Sequence, residues 1–229
     1  MTPAEMLQKL YQNAVELDKS IIEDSVIREK IEFVCRSSAP AAIRLLMACL
    51  LGKLDNPQVD PRKPYTKIGG QDSFSGRHYD EDYLSGFISA NHLPLNPTTA
   101  FLNPSLRIDA PLNTDQKLTA RPPEPYKVVL ALLEDVALNR SKPDVILTEI
   151  IRILVIIRDE KAARLKLMLG EQKCRIGTLP LSSEAIVTLI EQHLKCNRVS
   201  RLPVLIVAAA YKVASTQLSE RILPLRTYP

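Results

Sequence analysis

The stretch SKPDVILTEIIRILVIIRDEKAARLKLMLG, residues 141–170, decides the fold class. Ser141-Lys142-Pro143-Asp144 is a helix start, with proline suited to the first turn and Asp144 an acid at the positive end of the helix dipole. Residues 145–157 are then apolar on nearly every side, which places this helix at the centre of a core. The run is interrupted by Thr148, Glu149 and Arg152 and is shorter than the ~20 residues a membrane span needs. The apolar run 204–210 is shorter still. Gly170 marks the expected end of the helix.

Helical grammar extends outward on both sides. Toward the C-terminus, Ser182-Ser183-Glu184-Ala185 opens a helix to about Lys195, and a last helix over 202–222 carries Val207, Ala210, Tyr211, Ala214 and Leu218. Toward the N-terminus, residues 126–138 repeat apolar side chains at helical spacing. At the start of the chain Thr2-Pro3-Ala4-Glu5 has the form of a capping box, followed by a stripe of Met6, Leu7, Leu10, Ala14 and Leu17. A second helix is expected over 26–36, and a third from Pro40 through Ile43, Leu46, Met47 and Leu50 to a stop at Gly52.

Residues 55–125 break the pattern. Ten of the chain's 17 prolines lie there, and four glycines (Gly69, Gly70, Gly76 and Gly86) join them. That density forbids long regular elements, and only 80–91 reads as helix, with Asp80 as its cap. Yet Tyr65, Phe74, Tyr79, Tyr83, Phe87 and Phe101 also fall in this segment, six of the chain's 7 Tyr and 4 Phe. Aromatic residues at that frequency belong to a packed segment rather than a linker, and long ordered loops are usually functional. The expected architecture is mostly α: a helical bundle with a long irregular ordered insertion. It divides into an N-terminal helical region (1–54), the irregular segment (55–125) and a C-terminal helical bundle (126–229), which can form one continuous domain.

Composition bounds the function only loosely. A net charge of +4 permits an anionic partner without demanding one, because nucleic-acid binding depends on clustered charge. Residues 62–121 carry seven Lys/Arg against six Asp/Glu. Cys35, Cys49, Cys174 and Cys196 lack paired spacing, and with no secretory signal before them they read as reduced thiols of a cytoplasmic protein. Cys174, His193 and Cys196 form the one grouping with metal-ligand character, and without a second Cys-x-x-Cys it is weak.

Catalytic motifs are scarce. Lys67-Ile68-Gly69-Gly70 lacks the spacing of a phosphate-binding Walker loop, and His78 and His92 have no partner constellation. Pro143-Asp144 and Asp159-Glu160-Lys161 match the letters of a PD-(D/E)xK nuclease site. On one helix the two acids would stand roughly 22 Å apart at about 1.5 Å per residue, too far to share a metal.

The richest stretch is YTKIGGQDSFSGRHYD (65–80), followed by NHLPLNPTTAF (91–101). Amides, hydroxyls, Lys, Arg and His sit there among glycines and aromatic residues. Such side chains bond base edges and phosphates, although Asn, Asp, Ser and Gly also simply make turns. The candidates for DNA contact are Lys67, Gln71, Ser75, Arg77, His78, Asn96, Thr98, Thr99 and Arg107. Arg77 and Gln71 come first for base edges, and Lys67 and Thr98 for phosphate. Asp72 and Asp80 are expected to hold the loop or cap the helix.

GGQDSFSGRHYD (69–80) with LPLNPTTAFL (93–102) resembles the N-terminal region of the SacI restriction endonuclease family. RPP (121–123), IRDEK (157–161), IEQHL (190–194) and SRLPVL (200–205) are similar to the same family. The resemblance implies sequence-specific, Mg²⁺-dependent cleavage of double-stranded DNA. It also implies that the nuclease elements lie beyond this sequence, in a strand-rich part with the family's acid and acid-x-Lys residues. On that reading the chain is an N-terminal portion or a truncated product, with no catalytic residue, metal ligand or cofactor of its own. Its partner is double-stranded DNA. The rival reading is a helical scaffold or dimerisation module of the same enzyme, with a second copy of the chain as partner and no direct reading of bases.

Overall fold

The computed structural model describes residues 1–96, 99–102, 109–115 and 122–175, and Val207. Among the described residues the fold is helical and contains no strand. The helices are α1 (Pro3–Glu16), α2 (Ser25–Arg36), α3 (Pro40–Asp55), α4 (Gly76–His78), α5 (Ser85–Ala90), α6 (Pro123–Ala137) and α7 (Pro143–Arg175). A π-helical turn, Tyr79–Leu84, joins α4 to α5 without a break. Short 3₁₀ turns stand at Thr66–Ile68 and Ala100–Leu102.

Local chemistry sets the helix starts. The Glu5 backbone N–H donates to Thr2 Oγ1 (3.3 Å) and the Thr2 N–H donates to Glu5 Oε2 (2.8 Å), completing the capping box. Asp24 Oδ1 accepts from the N–H groups of Val26 (2.8 Å) and Ile27 (3.3 Å), so α2 starts one residue before its apolar stripe. Pro40 opens α3, but Gly52 does not stop it. A Cβ at Gly52 would lie 2.6 Å from Phe74 Cε2, so the glycine serves a close approach and the helix runs on to Asp55. Likewise α7 passes Gly170 and continues to Arg175, since one glycine inside a long helix costs only about 1 kcal/mol. The helices expected over 184–195 and 202–222 lie outside the described residues, except that Val207 is helical.

Residues Met1–Ala163 form one compact unit, and Arg164–Pro229 a second. Within the first unit α3 is the central element. Every residue from 42 to 52 is buried, and α1, α2, α4, α6, the π-turn and the Ala100–Leu102 turn all pack on this helix. In the first half of α7 every residue from 146 to 155 except Arg152 is buried, as its composition indicates. It is fastened to the rest of the unit by polar contacts. Arg158 donates to the Tyr11 hydroxyl and to the Asn91 carbonyl, each at 3.0 Å. Asp144 and Asp159 both lie on α7, Asp159 paired with Arg158 at 2.8 Å and Asp144 exposed in the first turn. They stay apart as the helical reading requires. No described helix is long and apolar enough to cross a membrane.

Three charged side chains among the described residues are buried in this core. Arg44, on α3, and Asp80, in the π-turn, are both 0% exposed and meet at 2.7 Å. Glu149, on α7, is fully buried and accepts from Arg152 Nη2 (2.6 Å), Arg152 Nε (3.1 Å) and the Ile21 N–H (3.4 Å). Burial pushes the Glu149 carboxyl up, but the hydrogen bonds of Arg152 and Ser20 outweigh it and hold the group below its ordinary value of 4.5. Cys35 and Cys49 are buried free thiols, and burial raises both far above the usual thiol range, which makes them inert packing groups.

Replacing one member of the Arg44–Asp80 pair strands the other charge in the core. Asp80→Asn and Arg44→Met are each expected to cost about 3–5 kcal/mol in urea unfolding, and a loss under about 1 kcal/mol would contradict the burial described. Glu149 binds protons less readily folded than unfolded. Its contribution is therefore complete above pH 4.5 and fades as pH falls through the depressed folded value. Glu149→Gln should cost about 2 kcal/mol at pH 7, with a difference from the parent that shrinks toward pH 3. A difference independent of pH would show that the carboxylate charge plays no part.

Candidate nucleic-acid interface

The irregular segment is ordered by backbone pairing that belongs to no regular element. The N–H of Asp60 bonds the Asp72 carbonyl (2.9 Å), that of Phe74 bonds Lys63 (3.1 Å) and that of Gly76 bonds Pro64 (2.8 Å). The Leu112 N–H closes a further strip onto the Arg62 carbonyl (2.7 Å). Ion pairs clamp the same turns: Arg62 with Asp60 at 2.8 Å and Lys63 with Asp72 at 2.7 Å. The Asp60 carboxyl, pushed up by burial, is held below its ordinary value by its hydrogen bonds from Arg62. Gly69 (φ 78°) and Gly70 (φ 91°) supply the left-handed turn that leads into this clamp.

The helix that follows starts earlier than its sequence indicates. Ser75, not Asp80, is its N-cap, with Oγ accepting from the His78 N–H (3.3 Å). Asp80 lies inside the helix on its buried face, where Arg44 Nε donates to Oδ1 at 2.8 Å. The same guanidinium donates from Nη1 to the Asn96 carbonyl (2.6 Å) and from Nη2 to Ser85 Oγ (2.7 Å). Asp80 Oδ2 turns the other way and accepts from the Thr99 hydroxyl and from the Ala100 N–H (3.1 Å). One ion pair thus ties α3, the π-turn and the start of α5 to Asn96, Thr99 and Ala100. No motif pointed to Arg44. Its signal was a lone charge within the apolar run of α3, where an arginine needs a buried partner.

Phe101 follows directly and lies against Gly76, where a Cβ would come within 2.6 Å of the ring. Tyr65 meets Phe101 edge to face, with centroids 5.7 Å apart. In front of these rings opens a cleft of about 450 Å³, lined by Pro64, Tyr65, Thr66, Lys67, Ser75, Arg77, Phe101 and Asp109. Two separated turns therefore bring Lys67, Ser75 and Arg77, three of the nine candidates, to one place.

The other candidates are dispersed. Gln71 is exposed in the turn after Gly70, away from the cleft lining. His78 packs edge to face on Tyr79 and Tyr83, with Nδ1 2.5 Å from Asp82 Oδ2. Asn96 is exposed and gives its carbonyl to Arg44. The Thr99 hydroxyl is committed to Asp80, a structural role that its sequence context did not announce. Thr98 and Arg107 lie outside the described residues, as do His193 and Cys196 and the side chain of Cys174. Asp72 holds the loop through Lys63, as expected.

The electrostatics are balanced rather than strongly positive. Arg77 pairs with Glu81 at 2.9 Å, and Asp109 stands on the cleft lining. Lys67 has no side-chain partner among the described residues and is exposed at the mouth. Among the described residues no group of three His, Cys, Asp or Glu side chains could hold a metal ion. No family model matches the chain, and no curated protein matches it.

The cleft wall depends on Gly76. Gly76→Ala should push Phe101 and Pro64 apart and cost about 1–3 kcal/mol, read by urea unfolding. Unchanged stability would mean that the ring moves aside freely.

Proposed function

We propose that this chain engages double-stranded DNA as the recognition portion of a SacI-like type II restriction endonuclease, with Mg²⁺-dependent phosphodiester hydrolysis carried out by a part outside these residues. The observation that carries the proposal is the convergence of Lys67, Ser75 and Arg77 beside Tyr65 and Phe101. The stretches that resemble the family, 69–80 and 93–102, contribute Ser75, Arg77 and Phe101 to that cleft and are joined through Asp80 and Thr99. In this reading Lys67 contacts phosphate, Ser75 adds a hydroxyl, and Arg77 reaches a base edge after exchanging Glu81 for the nucleic acid.

The rival reading has a specific observation in its favour. Arg77 with Glu81, Lys63 with Asp72 and Arg62 with Asp60 are each neutralised within the chain. A helical scaffold or dimerisation module needs no free positive surface, whereas DNA binding through these cations requires some of the pairs to open. The exposed Arg77–Glu81 pair contributes only about 0–1 kcal/mol, so opening it is a small obstacle.

Titration of the chain with duplexes at two salt concentrations separates the two readings. DNA engagement gives binding at low salt that weakens steeply with added salt. Lys67→Ala should lower the log–log salt slope by about one, and Arg77→Ala should reduce discrimination between cognate and unrelated duplexes by about 1–3 kcal/mol. Absence of binding at low salt would overturn the proposal in favour of the scaffold. Cleavage by this chain with Mg²⁺ would overturn the assignment of hydrolysis to another part.

A further inference from the structure

We infer that the cleft in front of Tyr65 and Phe101 receives a single nucleotide, with its phosphate at Lys67 and its ring along the aromatic wall. The inference rests on the same surface as the DNA reading and narrows what that surface holds.

Shape is the first ground. Elements that read duplex DNA project into a groove about 12 Å wide. This site is the reverse, a concavity of about 450 Å³. That size lies in the range of small-ligand pockets, about 300–1,000 Å³, and cannot take a length of duplex. A nucleotide enters such a site either free or swung out of its strand.

Chemistry is the second. Lys67 presents a compact ammonium with no side-chain partner among the described residues, and Thr66 and Ser75 offer hydroxyls beside it. Ammonium and hydroxyls together suit phosphate oxygens. Half-buried Tyr65, backed by the buried Pro64 and Phe101, provides an apolar wall suited to the face of a base. Asp109 is acceptor-only and repels phosphate, so it sets the orientation: phosphate toward Lys67, amino-bearing base edge toward Asp109.

The walls are also fixed before any ligand arrives. Phe101 is held by Gly76 and by Asp80 through Thr99 and Ala100, and Ser75 by its cap on the helix. A site whose walls are already ordered loses less entropy on binding than a loop that must first be organised.

Isothermal titration of the full chain with deoxycytidine 5′-monophosphate and with inorganic phosphate tests the inference. The nucleotide should bind saturably and at least about tenfold tighter than phosphate, and Lys67→Ala should weaken it about tenfold while leaving the melting temperature unchanged. Duplexes with one unpaired cytidine, set against fully paired ones, identify the source of the nucleotide. Preference for the unpaired duplex places it in DNA. Binding of the free nucleotide without any duplex binding keeps this inference and removes the DNA reading. Duplex binding with no nucleotide binding and no preference for the unpaired site overturns the inference and leaves the DNA reading standing. Nucleotide and phosphate binding with equal affinity overturns it as well, since the aromatic wall would then contribute nothing.

Discussion

The fold depends on a guanidinium placed where α3 has no water to offer it. Arg44 sits in a helix buried on all sides, and a charge there is tolerated only with a full set of acceptors. Asp80, Ser85 and the Asn96 carbonyl supply them, from three places along the segment whose composition forbids long helices. The irregular segment is therefore not an appendage on a bundle. It completes the core of the first unit by satisfying a charge that the central helix carries. In turn, its own backbone is held by that charge.

The cleft inherits its geometry from this pair. Asp80 spends one oxygen on Arg44 and the other on Thr99 and Ala100, which sets the turn bearing Phe101. The ring then closes on Gly76, the first residue of the helix that presents Arg77. The exposed polar groups at the mouth thus stand on a wall anchored in the core. That is the arrangement expected where a binding surface must keep its shape while its side chains meet solvent. On the proposed reading, the near balance of charge around it means that affinity for an anion would come from position, with Lys67 available and Arg77 exchangeable, rather than from a broad positive field.

Much of this was legible from residue order. The capping box at Thr2, proline at the starts of α3 and α7 and the apolar stripes marked out α1, α2, α3, α6 and α7, because each rests on short-range chemistry. Gly52 misled, since a glycine that admits a neighbouring ring looks the same in sequence as one that ends a helix. Asp80 misled for a related reason: an acid before a helical stripe reads as a cap until a partner 36 residues away is known. Residue type singled out Lys67, Ser75 and Arg77, which the fold places on one cleft lining, and also Thr99, whose hydroxyl bonds Asp80. Residue type indicates what a side chain can bond, and only the fold indicates whether that capacity is already used.

Hydrogen exchange of the full chain, with and without a duplex at low salt, tests most directly whether the surface built on Arg44 and Asp80 is where the partner sits. Binding at the cleft slows exchange of the backbone amides in residues 64–77 and 99–102 and leaves α1 and α2 unchanged. Protection confined to α1, α2 or the exposed face of α6, or no protection at saturating duplex, would contradict it.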